Sequence, residues 1–352
     1  MHIIIPMSGA GNRFIEAGYT EPKPLIPVDG RPIIEYVVGL FPGETKFTFV
    51  CNRDHLQNTN LESVLKRIAP QGNIVSIDPH KKGPVFAVSQ MFNLIDNDEE
   101  VIVNYCDFAC AWDYADFLKT IREADADGSI AAYRGFHPHM LGKTNYAFIK
   151  ETDQWMEAIK EKEPFTDNRM NEYASSGTYY FKRGGLVKKY FQQLMEADIH
   201  LNGEYYISLV YNLLRQDRLK TYIYEIQHML QWGEPHDLRE YQKWSDYFAE
   251  MIKPPERSFL GRRSMTLMPM AGAGKRFLDA GYTAPKPLIE VNGSPMFFQA
   301  GQYLPHSEKQ IFVCLAEHLE KYPVENTIKK YYPDAKIVAL NQLSRGQACS
   351  CE

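Results

Sequence analysis

Two glycines, an arginine and a lysine flanked by prolines carry the first visible chemistry in this sequence. Gly9-Ala10-Gly11-Asn12-Arg13-Phe14 follows the apolar run Ile3-Ile4-Ile5-Pro6-Met7, and Pro22-Lys23-Pro24-Leu25 comes soon after. Gly9 and Gly11 permit positive φ and close backbone approach, so main-chain N–H groups can face phosphate oxygens. Arg13 offers a bidentate, charge-assisted contact to a triphosphate. Lys23 sits between prolines that fix an extended backbone and can act as a positioned point charge. Gly9, Ala10, Gly11, Asn12 and Arg13 are therefore expected to bind nucleotide phosphates, with Arg13 and Lys23 as catalytic cations. The string is not a dinucleotide fingerprint, because Phe14 stands where the third Gly would be. It is not a Walker A loop either. Gly142-Lys143-Thr144 resembles the end of one, but His137 occupies the place of its first Gly.

A carboxylate is expected beside these cations. Asn104-Tyr105-Cys106-Asp107 ends a β-like run, and a carboxylate there suits Mg²⁺, which prefers one or two carboxylates together with phosphate oxygens. Farther on, Glu161-Lys162 precedes Tyr173-Ala174-Ser175-Ser176-Gly177. Most of the charge run 157–163 is expected to be solvated, and Lys162 is the residue to single out. Asp125-Ala126-Asp127 has metal-binding spacing but precedes Gly128, where a turn is the ordinary reading. His137 and His139 flank Pro138 and are read as loop residues. None of the six cysteines forms a Cys-x-x-Cys pair, and Cys51 and Cys314 are expected to be buried thiols.

The phosphate string occurs twice. Met268-Pro269-Met270, Gly272-Ala273-Gly274-Lys275-Arg276-Phe277 and Pro285-Lys286-Pro287-Leu288 repeat it without a gap. At the same offset Cys51 pairs with Cys314, His55 with His318 and Gly83 with Gly346. The period far exceeds the roughly 20–50 residues of a solenoid repeat, so this is a duplicated domain. Gly272, Gly274, Arg276 and Lys286 are expected to form a second nucleotide-binding loop. Copy 1 runs on to about Tyr247, whereas copy 2 stops just past Gly346 and is expected to be a truncated domain. The expected organisation is a complete domain over 1–250, a linker over 251–263 containing Lys253-Pro254-Pro255-Glu256-Arg257, and a partial copy over 264–352.

Stepping outward, strand-like runs at Ile3–Pro6, Phe47–Cys51, Ile74–Ile77, Val101–Tyr105 and Ser129–Tyr133 alternate with helix-like segments at Pro32–Leu40, Leu61–Ile68, Val85–Leu94 and Tyr114–Ala124. That rhythm predicts an α/β fold with a Rossmann-like mixed, mostly parallel sheet and helices on both faces. Ligands of such sheets sit beyond the carboxyl ends of the strands, where the first Gly loop and Asp107 both fall. From about Phe136 the rhythm changes. Strands are expected at Tyr146–Lys150, Tyr179–Lys182 and Tyr222–Glu225, helices at Leu186–Glu196 and Glu204–Arg215, and a terminal helix after Trp232. This half is read as the acceptor side.

The 352 residues carry a net charge of −5 with no basic stripe, which argues against nucleic acid as a partner. No apolar run approaches the roughly 20 residues of a membrane span, and the expected setting is the cytoplasm. An open strand edge in the incomplete copy 2 could drive association of the chain with itself.

Copy 1 resembles the sugar-phosphate nucleotidylyltransferases, the pyrophosphorylases that make nucleotide-activated sugars, over nearly all of residues 1–245. The family's Gly-x-Gly-x-Arg…Pro-Lys-Pro signature stands here as Gly9, Gly11, Arg13, Pro22, Lys23 and Pro24. The resemblance implies a metal-binding role for Asp107, although Cys106 precedes it where the family commonly has Gly. It implies contacts from Glu161, Lys162 and Gly177 to the sugar phosphate, and matches a Gly-Glu ahead of a helix to Gly203 and Glu204. Gly83 matches the nucleotide side, but Asp78-Pro79-His80-Lys81-Lys82 lacks the family's usual Gln. Gln231 stands where a late Asp often completes the metal site. The implied partners are a nucleoside triphosphate with Mg²⁺ and a phosphorylated small-molecule acceptor, most simply a sugar 1-phosphate. Two alternatives stay open. One is a cytidylyltransferase acting on a phospho-amino or phospho-alcohol compound. The other is a non-catalytic regulatory nucleotide-binding protein, for which copy 2 is the better candidate because it lacks equivalents of Asp107, Lys162 and Gly203-Glu204.

Overall fold

The computed structural model describes residues 1–143, 145–252, 264–343 and 345–351. Thr144 and the Lys253–Arg257 stretch of the expected linker lie outside them. The chain divides into two compact units, Met1–Tyr247 and Phe248–Glu352.

The first unit is built on a nine-stranded mixed sheet. Its strands run, in spatial order, Asn73–Ile77, Phe47–Asn52, His2–Met7, Val101–Asn104, Tyr173–Phe181, Gly128–Tyr133, Thr221–Glu225, Trp155–Glu161 and Ala147–Thr152. The first four are mutually parallel, so their carboxyl ends share one edge. Tyr173–Phe181 is antiparallel to both its central neighbours and joins the two halves. Ile3, Ile5 and Met7 pack into one apolar layer and Ile4 into the other. Such a strand, covered on both faces, must read as a continuous apolar run.

The elements differ from expectation where irregular backbone hides the period. Trp155–Glu161 is a strand, although Glu157 and Glu163 of the charge run are exposed as expected. A register shift between Met156 and Ala158 breaks its alternation, with Met156 and Ile159 supplying the buried side chains. Tyr173–Phe181 is a nine-residue strand that includes Ser175-Ser176-Gly177. A shift between Ser175 and Thr178 absorbs Gly177 at φ 102°. Phe108–Ala111 and His228–Gln231 form a separate antiparallel pair that places Gln231 opposite Phe108. The helix expected from Glu204 begins at Ile207. Tyr205 instead exchanges backbone hydrogen bonds with the loop of the nucleotide side, its N–H donating to Lys82 and its carbonyl accepting from Val85. The final helix, Pro235–Ile252, extends over the first two residues expected in the linker.

In the second unit, Met265–Pro269, Lys309–Leu315 and Lys336–Leu340 form a three-stranded parallel sheet in that neighbour order, Lys309–Leu315 in the middle. Thr266 faces Gln310 as Ile3 faces Phe47, so the register of the first unit is reproduced residue for residue. Met265–Pro269 pairs on one side only among the described residues, and Met265 and Leu267 are exposed, where Ile4 is fully buried. No described helix is long and apolar enough to cross a membrane.

Candidate active site

One cavity of about 490 Å³ opens in the first unit, within the range of a small-ligand site. Gly9, Ala10, Gly11, Asn12, Arg13, Lys23, Gly83, Asp107, Glu161, Lys162, Gly177 and Glu204 all line it. Every residue singled out in copy 1 for nucleotide, metal or acceptor binding is thus gathered in one place.

The glycine-loop end follows from strand His2–Met7. After it the chain turns through Gly11 at φ 70° into the one-turn helix Asn12–Glu16. The left-handed conformation there is costly for any residue with a Cβ. Pro22 is extended and the short turn Lys23–Leu25 follows, which directs Lys23 back under the loop. Lys23 Nζ donates to Asp107 Oδ2 at 3.1 Å and to the Gly233 carbonyl at 3.0 Å. Burial opposes the charge on Lys23, but Asp107, aided by Cys106 and Glu234, outweighs it and holds the pKa above its ordinary value. Arg13 pairs with Glu234.

The opposite end is built by the second half of the sheet. Glu161 closes its strand and accepts from Ser208 Oγ at 2.5 Å. Burial lifts its carboxyl to about 7, against the opposing pull of Ser208 and Lys162. Lys162 adopts φ 62°, and its N–H donates to the Tyr146 carbonyl at 2.9 Å. Its Nζ reaches Tyr206 Oη at 2.7 Å, and that hydroxyl donates to Glu204 at 2.5 Å. A non-glycine residue held left-handed at a cavity wall is the kind of strain that surrounding structure must over-determine.

The expected metal position has Asp107 as its carboxylate, with the Gln231 amide lining the same wall. A side chain added at Gly233 would meet Gln231 Nε2 at 2.8 Å and Asp107 Oδ2 at 3.0 Å, so both groups border that turn. The Asp107 carboxylate is a hard donor that fits Mg²⁺ when phosphate oxygens complete its shell, and the Gln231 atom at this turn is its Nε2. Among the described residues no three His, Cys, Asp or Glu side chains come together as a metal cage. His139 instead bonds the Tyr133 hydroxyl at 2.9 Å, and His137 Nε2 accepts from the Met229 N–H at 3.2 Å. Cys51 and Cys314 are buried.

Ser8 and Glu234, assigned no role from the sequence, also line the cavity, as do His80 from the segment ahead of Gly83 and Tyr206 from the tyrosine-rich second half. Ser8 and His80 did carry a signal, since Ala271 and Leu343 occupy their places in copy 2. In the second unit the loop keeps its shape, with Gly274 at φ 64° before the turn Lys275–Asp279. Lys286 lies 5.5 Å from the centre of the Phe277 ring, as Lys23 lies 5.2 Å from Phe14.

The fold and cavity define an α/β protein in which a glycine loop after the first strand and the second half of the sheet line one cavity. The chain belongs to the nucleotidyl transferase family, whose model matches residues 3–245. A Sulfolobus acidocaldarius protein assigned as a mannose-1-phosphate guanyltransferase is 24% identical over 189 residues, 53% of this chain. The chain spans about half of that relative's length, 49%. The nucleoside-diphosphate-sugar pyrophosphorylase of Vibrio cholerae RC9 shares the fold at TM-score 0.56 and 20% identity, covering 68% of this chain and 99% of that one. The inositol-1-phosphate CTP transferase of T. maritima does so at TM-score 0.52 and 16% identity, covering 69% and 94%.

Proposed function

We propose that the first unit transfers a nucleoside monophosphate from a nucleoside triphosphate to a phosphorylated small molecule, a sugar 1-phosphate, with release of pyrophosphate. The observation that carries this reading is the single cavity joining the Gly9–Arg13 loop, Lys23 and Asp107 to Glu161, Lys162 and Glu204. An anionic phosphate oxygen of the acceptor attacks the α-phosphorus. The bond from that phosphorus to its bridging oxygen breaks, and the electron pair leaves with pyrophosphate. A phosphate monoester is already anionic near neutral pH, so positioning and charge neutralisation do most of the work.

Arg13 holds the β- and γ-phosphates once it exchanges Glu234 for them. Lys23 reaches the α-phosphate, where negative charge accumulates in the transition state. Lys162, anchored on Tyr206, orients the attacking phosphate, and Glu161 and Glu204 face the body of the acceptor. Asp107, with phosphate oxygens, would hold Mg²⁺, which when bound supplies further neutralisation of the triphosphate. The product is an activated nucleotide-sugar of the kind consumed in polysaccharide synthesis, made in the cytoplasm.

A second acceptor class rests on Tyr105, Tyr179 and Tyr206, which line the acceptor wall beside Glu161. Aromatic faces with a carboxylate suit a cationic or alcohol-bearing acceptor, as in a cytidylyltransferase for phospho-amino or phospho-alcohol compounds. The second unit, which repeats the loop as Gly272, Gly274, Arg276 and Lys286, is read as a second nucleotide-binding unit.

The deciding experiment is pyrophosphate release by the full chain with Mg²⁺, across the four ribonucleoside triphosphates and dTTP, against sugar 1-phosphates and phospho-amino-alcohols. Release requiring one triphosphate and one acceptor, and lost in Asp107→Ala, supports the enzyme and names its substrates. Nucleotide binding with no release over the whole panel overturns it in favour of a regulatory protein.

A further inference from the structure

We propose that Ser8 reads the nucleobase: its hydroxyl, oriented by His80, donates a hydrogen bond to an unprotonated ring nitrogen or carbonyl oxygen of the base. The inference rests on the reading of the cavity as a triphosphate site and adds the group that selects among triphosphates.

The place follows from adjacency to the glycine loop. On the proposed function, Arg13, Lys23 and Asp107 define the phosphate end of the cavity, and Glu161, Lys162 and Glu204 the acceptor end. Among the other polar residues of the lining, Ser8 directly precedes Gly9 and bonds His80, and Lys81 follows. A nucleotide whose phosphates lie on Gly9–Arg13 has its base left to place, and this wall is left to receive it.

The direction of the hydrogen bonds follows from the geometry of His80. The Lys82 backbone N–H donates to His80 Nδ1 at 3.1 Å, so that nitrogen carries no proton. A neutral imidazole protonated on one nitrogen must then carry its hydrogen on Nε2. Nε2 lies 2.9 Å from Ser8 Oγ, so the imidazole donates and the serine oxygen accepts. Burial, seconded by Lys82, lowers the pKa of His80 and keeps the ring in this neutral form. The serine's own proton is therefore free to be donated, and no described side chain or carbonyl accepts it. Ser8 is 3% exposed, and an unused hydroxyl at such a position calls for a partner. Its backbone is fixed as well. Asn52 Nδ2 donates to the Ser8 carbonyl at 3.3 Å, while Asn52 Oδ1 accepts from the Asp54 N–H at 2.8 Å.

The second unit provides an independent contrast. It keeps Gly272, Gly274, Arg276 and Lys286 in the same backbone shape, yet Ala271, Leu315 and Leu343 replace Ser8, Asn52 and His80. Phosphate grip and the polar triad are thus separable, and a loop of this shape forms without the triad. A role in holding the loop together does not account for Ser8, Asn52 and His80.

The test is titration calorimetry on the full chain with ATP, CTP, GTP, UTP, dTTP and tripolyphosphate, comparing the wild type with Ser8→Ala. His80→Leu, which copies the residue of the second unit, is the companion variant, and thermal unfolding checks that each is folded. The expected result is a loss of about tenfold or more in affinity for the preferred triphosphate, the size of one hydrogen bond to a buried partner. Affinity for tripolyphosphate stays unchanged and the preference among triphosphates flattens. An equal loss for every triphosphate and for tripolyphosphate, or no loss at all, overturns the role of Ser8 while leaving the triphosphate site standing. Absence of triphosphate binding by the wild-type chain overturns both.

Discussion

Arg13 and Glu234 form an ion pair across the mouth of the cavity, although more than two hundred residues separate them in the chain. Arg13 leaves the first helical turn of the unit, and Glu234 precedes its last helix. The cation proposed to grip the triphosphate is thus occupied by a carboxylate that an incoming phosphate must displace.

That competition gives a first prediction. Glu234→Gln removes the rival charge and leaves Arg13 free, so tripolyphosphate and nucleoside triphosphates should bind several-fold more tightly, with a steeper dependence on salt. Calorimetric titration at two ionic strengths measures it. Unchanged or weaker binding would show that Glu234 positions Arg13 rather than competing for it.

Lys23 lies under the loop, bonded to Asp107 and Gly233. Its proposed contact is with charge that grows in the transition state, so Lys23→Ala should lower turnover about 10²–10³-fold while nucleotide affinity falls far less. Steady-state kinetics beside equilibrium titration separates the two quantities. Equal losses in both would remove Lys23 from the chemical step.

Glu161 gives a pH dependence of stability. Burial lifts its folded-state pKa to about 7, above the unfolded value of 4.5. The folded state therefore binds this proton more tightly, and the stability it adds is whole below the unfolded pKa and is lost as pH rises through about 7. Denaturant midpoints of the wild type should fall between about pH 5 and pH 8 by the equivalent of about 1–3 kcal/mol relative to Glu161→Gln, which cannot titrate. Parallel curves for the two proteins would place the ionisation elsewhere.

Gly83 couples the two halves of the unit. A Cβ there would lie 2.7 Å from the Tyr205 nitrogen and 2.8 Å from its carbonyl oxygen, and the backbone is held at φ 83°. Gly83→Ala should cost about 1–3 kcal/mol in unfolding free energy, from the left-handed strain together with the broken approach. Chemical denaturation checks this, and a loss within about 0.5 kcal/mol would mean that the loop relaxes freely.

Much of this architecture was legible in the residues. The run Ile3–Met7 announced a strand covered on both faces, and the Gly-Gly-Arg spacing announced the phosphate turn, because both signals are local. Trp155–Glu161 was hidden since its buried residues, Met156 and Ile159, straddle a register shift and break the period of two. The start of the helix at Ile207 was misplaced because Tyr205 is held by Lys82 and Val85, partners far away in sequence. Glu161 looked like one charge in a solvated run, and only tertiary packing, with Ser208 donating to it, makes it a half-buried acid. Of the twelve candidate positions in copy 1, those of the glycine loop, Lys23, Asp107 and Lys162 were marked by residue type and motif, and Gly83, Glu161, Gly177 and Glu204 by the family resemblance. That they share one cavity is a property of the sheet, which brings Gly9, Asp107 and Glu161 together from strands far apart in order.

The one-sided strand Met265–Pro269 bears on how the protein behaves in bulk. Its counterpart His2–Met7 is flanked by Phe47–Asn52 and Val101–Asn104, whereas Met265–Pro269 leaves a row of backbone donors and acceptors unmatched among the described residues, beside exposed Met265 and Leu267. Such an edge is a template for another strand. The expected result is colloidal: sedimentation should show a weight-average mass that climbs with protein concentration, and Leu267→Lys should flatten that climb without touching the activity proposed for the first unit. A mass independent of concentration would show the edge to be already blunted.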